Sequence, residues 1–118
     1  MKKKLCFDLD NTICSTFKNH YKKSKPKKKI INLINKLNSN KFEIIIFTSR
    51  FMGRCKENSQ KAKAMGFDLT KKQLNSWGLK YDKLILGKPS YDNIIDDKSI
   101  NFSQVNFINF LKKNINEK

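Results

Sequence analysis

Histidine occurs once in this 118-residue chain, at His20, and that single imidazole lies in a polar segment. A hydrolase built on a histidine base is therefore disfavoured, and His20 is at most a contact on the substrate side. Glycine is also scarce, with four residues, and none belongs to a Gly-rich cradle ending in Gly-Lys-Ser/Thr. Gly87-Lys88-Pro89 does not fit that pattern, which argues against a P-loop nucleotide site. The three cysteines, Cys6, Cys14 and Cys55, show no ligand spacing. They read as free thiols of a reducing compartment, consistent with a cytoplasmic protein, and not as a disulfide framework. No apolar run approaches the roughly 20 residues of a membrane-spanning helix. Leu5 to Leu9 is too short and too soon acidic for a signal-peptide core.

Arginine is the scarcest cation. Only Arg50 and Arg54 stand against 26 lysines and arginines in all, and acidic residues number 10, for a formal charge of +16. Two readings fit this excess. One is compositional bias, with scattered lysines on a solvated surface; the other is a surface for nucleic acid or another polyanion. Arginine is missing where bidentate phosphate and base recognition would use it, which favours the first. No patch interleaves aromatic and basic residues into a base-stacking platform. In either case a positive field draws in anionic substrates.

The organising stretch is Lys4-Leu5-Cys6-Phe7 followed by Asp8-Leu9-Asp10-Asn11-Thr12. The first four residues read as a strand. Two carboxylates straight after it are costly to bury unless something neutralises them, and a hard divalent cation such as Mg²⁺ would do so. Residues 13–25 are polar, with Phe17 and Tyr21 as apolar anchors. Pro26 then opens a helix to about Asn40, with Ile30, Leu33, Ile34 and Leu37 at helical spacing. Phe42 to Phe47 is the strongest strand, a run expected to be central, parallel and covered on both faces. It ends in Thr48-Ser49-Arg50. A helix from about Cys55 to Met65 closes near Gly66 as C-cap, and Leu69 to Trp77 forms another short one, with Trp77 packing at the core or its edge. Lys83 to Leu86 is a strand ending in Gly87-Lys88-Pro89. Asn93-Ile94-Ile95 is a short fourth strand ending in Asp96-Asp97-Lys98, and 103–115 is a closing helix.

This order predicts one domain over 1–118, a Rossmann-like three-layer α/β/α sandwich with a mainly parallel sheet. Ligands of such sheets bind beyond the C-terminal strand ends. Asp8/Asp10, Thr48, Lys88 and Asp96/Asp97 all fall there. The set suits phosphoryl transfer through an aspartyl-phosphate. Asp8 would attack phosphorus, and Asp10 would protonate the leaving oxygen and then activate water. Thr48 would donate to a phosphoryl oxygen, and Lys88 would neutralise charge. Asp96 and Asp97 would complete a Mg²⁺ site with Asp8 and Asp10.

The chain resembles the haloacid dehalogenase (HAD) superfamily of phosphatases over nearly its full length. Asp8-Leu9-Asp10-Asn11-Thr12 is similar to its first motif, Phe47-Thr48-Ser49 to the second, Lys88 in Gly-Lys-Pro to the third, and Asp96-Asp97 to the double-acid form of the fourth. The resemblance implies that Asp8 binds Mg²⁺ through its carboxylate and Asp10 through its backbone carbonyl. Asp97 is then the expected direct ligand, and Asp96 the expected partner of Lys88. Ile46 to Arg50, Gly87 to Asp92 and Ile95 to Lys98 further resemble small members associated with capsule or lipopolysaccharide gene sets, hence polysaccharide biosynthesis. Neither 11–45 nor 49–87 leaves room for a substantial cap domain. Small capless members act on accessible substrates or borrow a neighbouring subunit, so a homo-oligomer closing the site is expected.

Asn11, Ser49 and Arg50 are the expected substrate contacts, with Arg50 gripping a second phosphate, a carboxylate or a sugar hydroxyl. Arg54 is assigned less to substrate than to surface charge. The expected activity is Mg²⁺-dependent hydrolysis of a phosphomonoester, a sugar phosphate or similar small metabolite. The alternatives are a nucleotide or nucleic-acid end phosphatase and a non-catalytic phosphate-binding or regulatory protein of the same fold. No membrane partner is expected.

Overall fold

The computed structural model describes residues 3–40, 42–102 and 106–116. Three strands, β1 (Lys3–Phe7), β4 (Phe42–Thr48) and β5 (Lys83–Leu86), form a parallel sheet in the order β1-β4-β5. Two short strands, β2 (Cys14–Ser15) and β3 (Lys25–Pro26), pair antiparallel beside it, with a 3₁₀ turn at Tyr21–Lys23 between them. The helices are α1 (Lys28–Ser39), α2 (Ser59–Ser76) and α3 (Asn106–Asn116). The arrangement is a Rossmann-like α/β fold, and no helix among the described residues is long and apolar enough to cross a membrane.

Register explains the core. Phe7 lies beside Ile46, Leu5 beside Ile44, and Thr48 beside Leu86, so these side chains share one face of the sheet. That face is sealed by Ile30, Ile31, Leu33, Ile34 and Leu37 of α1, Leu74 of α2, and Phe107 and Leu111 of α3. In α1 these residues recur every three to four positions, which turns one stripe of the helix to the sheet. The β4 strand is central and parallel, as its apolar run predicts. Its coverage is uneven, however: Ile44 and Ile46 are fully buried, while Ile45 and Phe47 on the opposite face are half-buried beside exposed Cys6 and Ile85.

Several boundaries differ from those expected. Pro26 pairs with Cys14 in β3 instead of opening α1, and Lys27 N–H donates to Ile13 O at 2.9 Å before the helix starts. A proline tolerates a short two-stranded edge because few ladder bonds are asked of it. Phe17 is 72% exposed and anchors nothing in the core, whereas Tyr21 packs on Phe51 with ring centroids 4.8 Å apart. The two expected helices after β4 are one. It starts at Ser59 because the Asn58 side chain accepts the Lys61 N–H at 3.0 Å, an N-cap that fixes the first turn. It runs through Gly66 to Ser76, and Trp77, its C-cap, packs at the core edge. Asn93–Ile95 forms no strand; Ile95 is 97% exposed. Of the closing helix, 106–115 is helical and 103–105 lie outside the described residues.

Gly66 sits mid-helix because of packing and not as a terminator. A Cβ there would overlap the Phe51 ring and come within 3.3 Å of Leu86 Cδ2. Phe51 is buried and packs on the Tyr21 ring, so a side chain at Gly66 forces that packing to shift. Gly66→Ala gains about 1 kcal/mol of helix propensity but loses about 1–3 kcal/mol by overpacking. The expected net result in urea unfolding is a destabilised protein.

Candidate active site

The C-terminal ends of β1, β4 and β5 bring three of the expected residues together. Asp8 follows Phe7 at the end of β1, and Thr48 closes β4. Gly87, at φ 103°, takes a left-handed conformation that side chains disfavour and turns the chain after β5. The next residue, Lys88, donates its backbone N–H to Thr48 O at 3.2 Å. Its ammonium lies 3.5 Å from Asp8 Oδ1 and 5.0 Å from the centre of the Tyr91 ring. Thr48 is buried, and its hydroxyl oxygen accepts the Arg50 N–H at 3.1 Å, which leaves its own O–H to donate.

Charge is unevenly compensated at Asp8. Burial raises its carboxyl above the ordinary value of 3.8, and the attraction of Lys88 offsets this only in part, with Asp10 adding to the rise. For Lys88, burial opposes the charge, but Tyr91 and Asp8 outweigh it and raise the ammonium above 10.5. A long contact of 3.5 Å on a partly exposed pair is consistent with this balance.

Asp10 is held differently. Arg50 grips it from the side, Nε 2.9 Å from Oδ2 and Nη2 2.8 Å from Oδ1. Thr16 Oγ1 donates to Oδ1 at 2.6 Å. Arg50 is 1% exposed, so its other N–H groups need internal acceptors. Gln73 Oε1 accepts at 2.6 Å, and Ser24 Oγ and Thr70 Oγ1 accept at 3.3 and 3.5 Å. The network also carries Cys14, whose thiol burial pushes up, keeping it protonated as a weak donor 3.6 Å from Leu9 O. Gln73 in turn donates to Tyr21 O at 2.7 Å. One buried guanidinium thereby ties the loop after β1, the β2–β3 segment and α2 together.

Arg50 is therefore turned inward and does not reach for substrate as expected. Asn11, exposed at φ 62°, accepts the Thr16 N–H at 3.1 Å and so braces its own loop. Ser49 is half-buried, and its carbonyl accepts the Met52 N–H. Asp96 and Asp97 stand on an exposed turn, where Asp96 accepts the Lys98 N–H at 3.1 Å. That bond, with the neighbouring Asp97, holds Asp96 below the ordinary carboxyl value. Neither contacts Asp8 or Lys88 among the described interactions, so the structure does not bring Asp96 to Lys88.

A Mg²⁺ ion needs several hard oxygen ligands with negative charge to spare. Among the described residues no three His, Cys, Asp or Glu side chains gather in this way. Asp8 is already matched by Lys88 and Asp10 by Arg50. Asp8 and Asp10 lie together after β1, and Asp96 and Asp97 stand apart from them on the exposed turn. Thr16, Ser24, Thr70 and Gln73 were not foreseen from the sequence. The signal for them was indirect: an arginine buried beside a carboxylate demands acceptors for every remaining N–H.

No protein-family model matches the chain. No curated protein matches it either. Among solved structures, the chain is similar to a crystal structure of an MCSG target protein from Vibrio cholerae. The two share 26% identity over 96% of each chain, with a TM-score of 0.81. That similarity supports the α/β architecture along nearly the whole chain.

Two predictions follow from the charges. Removing one partner of a buried pair leaves an uncompensated charge, so Arg50→Ala is expected to cost about 3–5 kcal/mol in denaturant unfolding. Arg50→Lys recovers only part of this, because an ammonium cannot reproduce the fork. The second concerns pH. A carboxyl raised in the folded state gives stability that is lost as pH climbs from 3.8 through the raised Asp8 value. Lys88, also raised, contributes stability present below 10.5 and lost as pH passes its folded value. Melting curves across pH should show the acidic contribution in the native protein and not in Asp8→Asn.

Proposed function

We propose that the protein is a phosphomonoester hydrolase that acts through an aspartyl-phosphate at Asp8, on a sugar phosphate or similar small metabolite. The observation that carries this reading is the Asp8–Lys88 pair at 3.5 Å, set beside the Thr48 hydroxyl at neighbouring strand ends. The pair supplies a nucleophile and a cation, and Thr48 at the end of the adjacent strand supplies a hydroxyl donor, the set that phosphoryl transfer requires. The HAD-like form of the α/β core belongs to the same proposal, on the order and spacing of the four motifs.

In the proposed reaction an oxygen of ionised Asp8 attacks phosphorus as the bond to the leaving oxygen breaks. The Lys88 ammonium lies close enough to Asp8 to balance the charge of the phosphoryl group, and Thr48 Oγ1–H donates to one of its oxygens. Asp10 serves as the acid and base: it gives a proton to the leaving oxygen, then takes one from the water that attacks the aspartyl-phosphate. Its Oδ1 is crowded by Arg50 and Thr16, whereas Oδ2 carries only the Nε–H contact. Oδ2 is thus the oxygen left for proton transfer, and Arg50 positions it.

Mg²⁺ stays within the proposal on chemical grounds, since a phosphoryl dianion beside a carboxylate carries more negative charge than one ammonium balances. Asp8 would hold it through its carboxylate and Asp10 through its backbone carbonyl, with Asp97 and Asp96 completing the set, which requires the exposed turn to come onto the strand ends. A homo-oligomer closing the open site is proposed on the same footing, because among the described residues no cap domain covers Asp8, which is partly exposed.

Phosphate release from phosphosugars, nucleotides and 3′- or 5′-phosphorylated oligonucleotides tests the reading, each assayed with Mg²⁺ and with EDTA. The expected result is release from a phosphosugar that falls at least about a thousandfold in Asp8→Asn. Preference for an oligonucleotide end would instead support the nucleic-acid alternative. No release from any substrate by folded protein would favour a binding role.

A further inference from the structure

The segment between β2 and β3, the loop after β4 and Leu69 of α2 line a second concavity of about 260 Å³. His20, Lys22, Lys23 and Arg54 line it around the rings of Tyr21 and Phe51. Among the described residues no carboxylate lines it, and its charged lining, Lys22, Lys23 and Arg54, is cationic. Arg54 is the contrast to Arg50. It is exposed, lies 4.9 Å from the centre of the Phe51 ring, and donates from Nη2 to Asn19 O at 3.5 Å. It pairs with no carboxylate among the described residues. A guanidinium has five N–H donors in a planar fork, and most of those of Arg54 remain available to a ligand.

The walls restrict what that ligand is. Tyr21 packs at a tilt against Phe51 and lies 5.0 Å from the Arg50 guanidinium, and Arg54 lies over Phe51, so both aromatic rings of the lining are already engaged and neither is an open platform for a base. The volume is below the roughly 300–1,000 Å³ of pockets that hold drug-sized ligands. A body of monosaccharide size bearing one anionic group fits both limits. Phe51 is held at φ 67°, an unusual conformation for a bulky residue, and this presents its ring to Arg54.

We propose that this cavity is a recognition site for a small anion, a phosphate or carboxylate carried on a sugar, gripped by Arg54 beside His20 and Tyr21. The inference rests on the phosphatase reading only in making this the subsite for the part of the substrate away from the reacting phosphorus.

His20 is the only histidine of the chain, so its imidazole C–H resonances report on the cavity alone. The experiment follows them by NMR in the full chain carrying Asp8→Asn, titrated with glucose 6-phosphate, glucuronate, inorganic phosphate and a thymidine oligonucleotide. The expected result is a saturable shift with one or both sugar anions, weakened about tenfold or more by Arg54→Gln and partly restored by Arg54→Lys. An unchanged melting temperature in Arg54→Gln confirms that the variant is folded. No saturable shift, or one indifferent to Arg54→Gln, overturns the proposal. Inorganic phosphate binding as tightly as either sugar anion overturns the sugar assignment. Lys56 and Lys61, beyond Arg54, extend the positive field. Tighter, steeply salt-dependent binding of the oligonucleotide would therefore assign the surface to a polyanion and overturn the proposal. A chain that shows the His20 response yet, with Asp8 intact, releases no phosphate refutes the phosphatase reading alone. Hydrolysis of a sugar phosphate without the response refutes the cavity alone.

Discussion

A charged guanidinium at 1% exposure is tolerated only if nearly every N–H has an acceptor, and Arg50 meets that condition through Asp10, Ser24, Thr70 and Gln73. These partners come from three separate stretches of chain. The loop after β1, the β2–β3 segment and α2 are consequently registered against the end of β4 by one side chain. The same pair fixes the Asp10 carboxylate, and through Gln73 it holds Tyr21, a wall of the neighbouring cavity. Local geometry at the site and the integrity of the fold are thus the same constraint here, and a substitution at Arg50 disturbs both.

The division of labour between the two arginines follows from their surroundings. Arg50 comes straight off β4 beneath the β2–β3 segment, where water is excluded and a carboxylate is near. Arg54 follows one turn later on an exposed loop. Identical chemistry is thereby used once as an internal tie and once as an outward-facing cation. Asp8 and Lys88 occupy a middle condition: the buried Lys88 ammonium is near enough to interact with the partly exposed Asp8 carboxylate, but at 3.5 Å too far to bind it fully. A loosely paired carboxylate is better suited to meeting a new partner than one locked as Asp10 is.

Much of the framework was legible in the sequence because its signals are local and redundant. The apolar runs ending at Phe7, Phe47 and Leu86 each terminate in polar residues at the same end of a parallel sheet. Where the sequence misled, a tertiary contact overrode a local rule. Gly66 looks like a helix end but is the point at which α2 must approach the Phe51 ring. Pro26 looks like a first helical residue but sits in a two-stranded pairing. Arg50 looks available to substrate because its burial depends on Ser24, Thr70 and Gln73, none of which the motif contains. Asp96 and Asp97 follow apolar residues, yet Ile94 and Ile95 have no described strand to join and remain exposed.

The central claim is that Asp8 is the atom-transferring carboxylate. It is tested most directly by acid-quenching turnover of a ³²P-labelled phosphomonoester and mapping the label on the protein. The account predicts a hydroxylamine-labile acyl phosphate on Asp8, absent in Asp8→Asn. Turnover that leaves no label on the chain, or label on another residue, would contradict it.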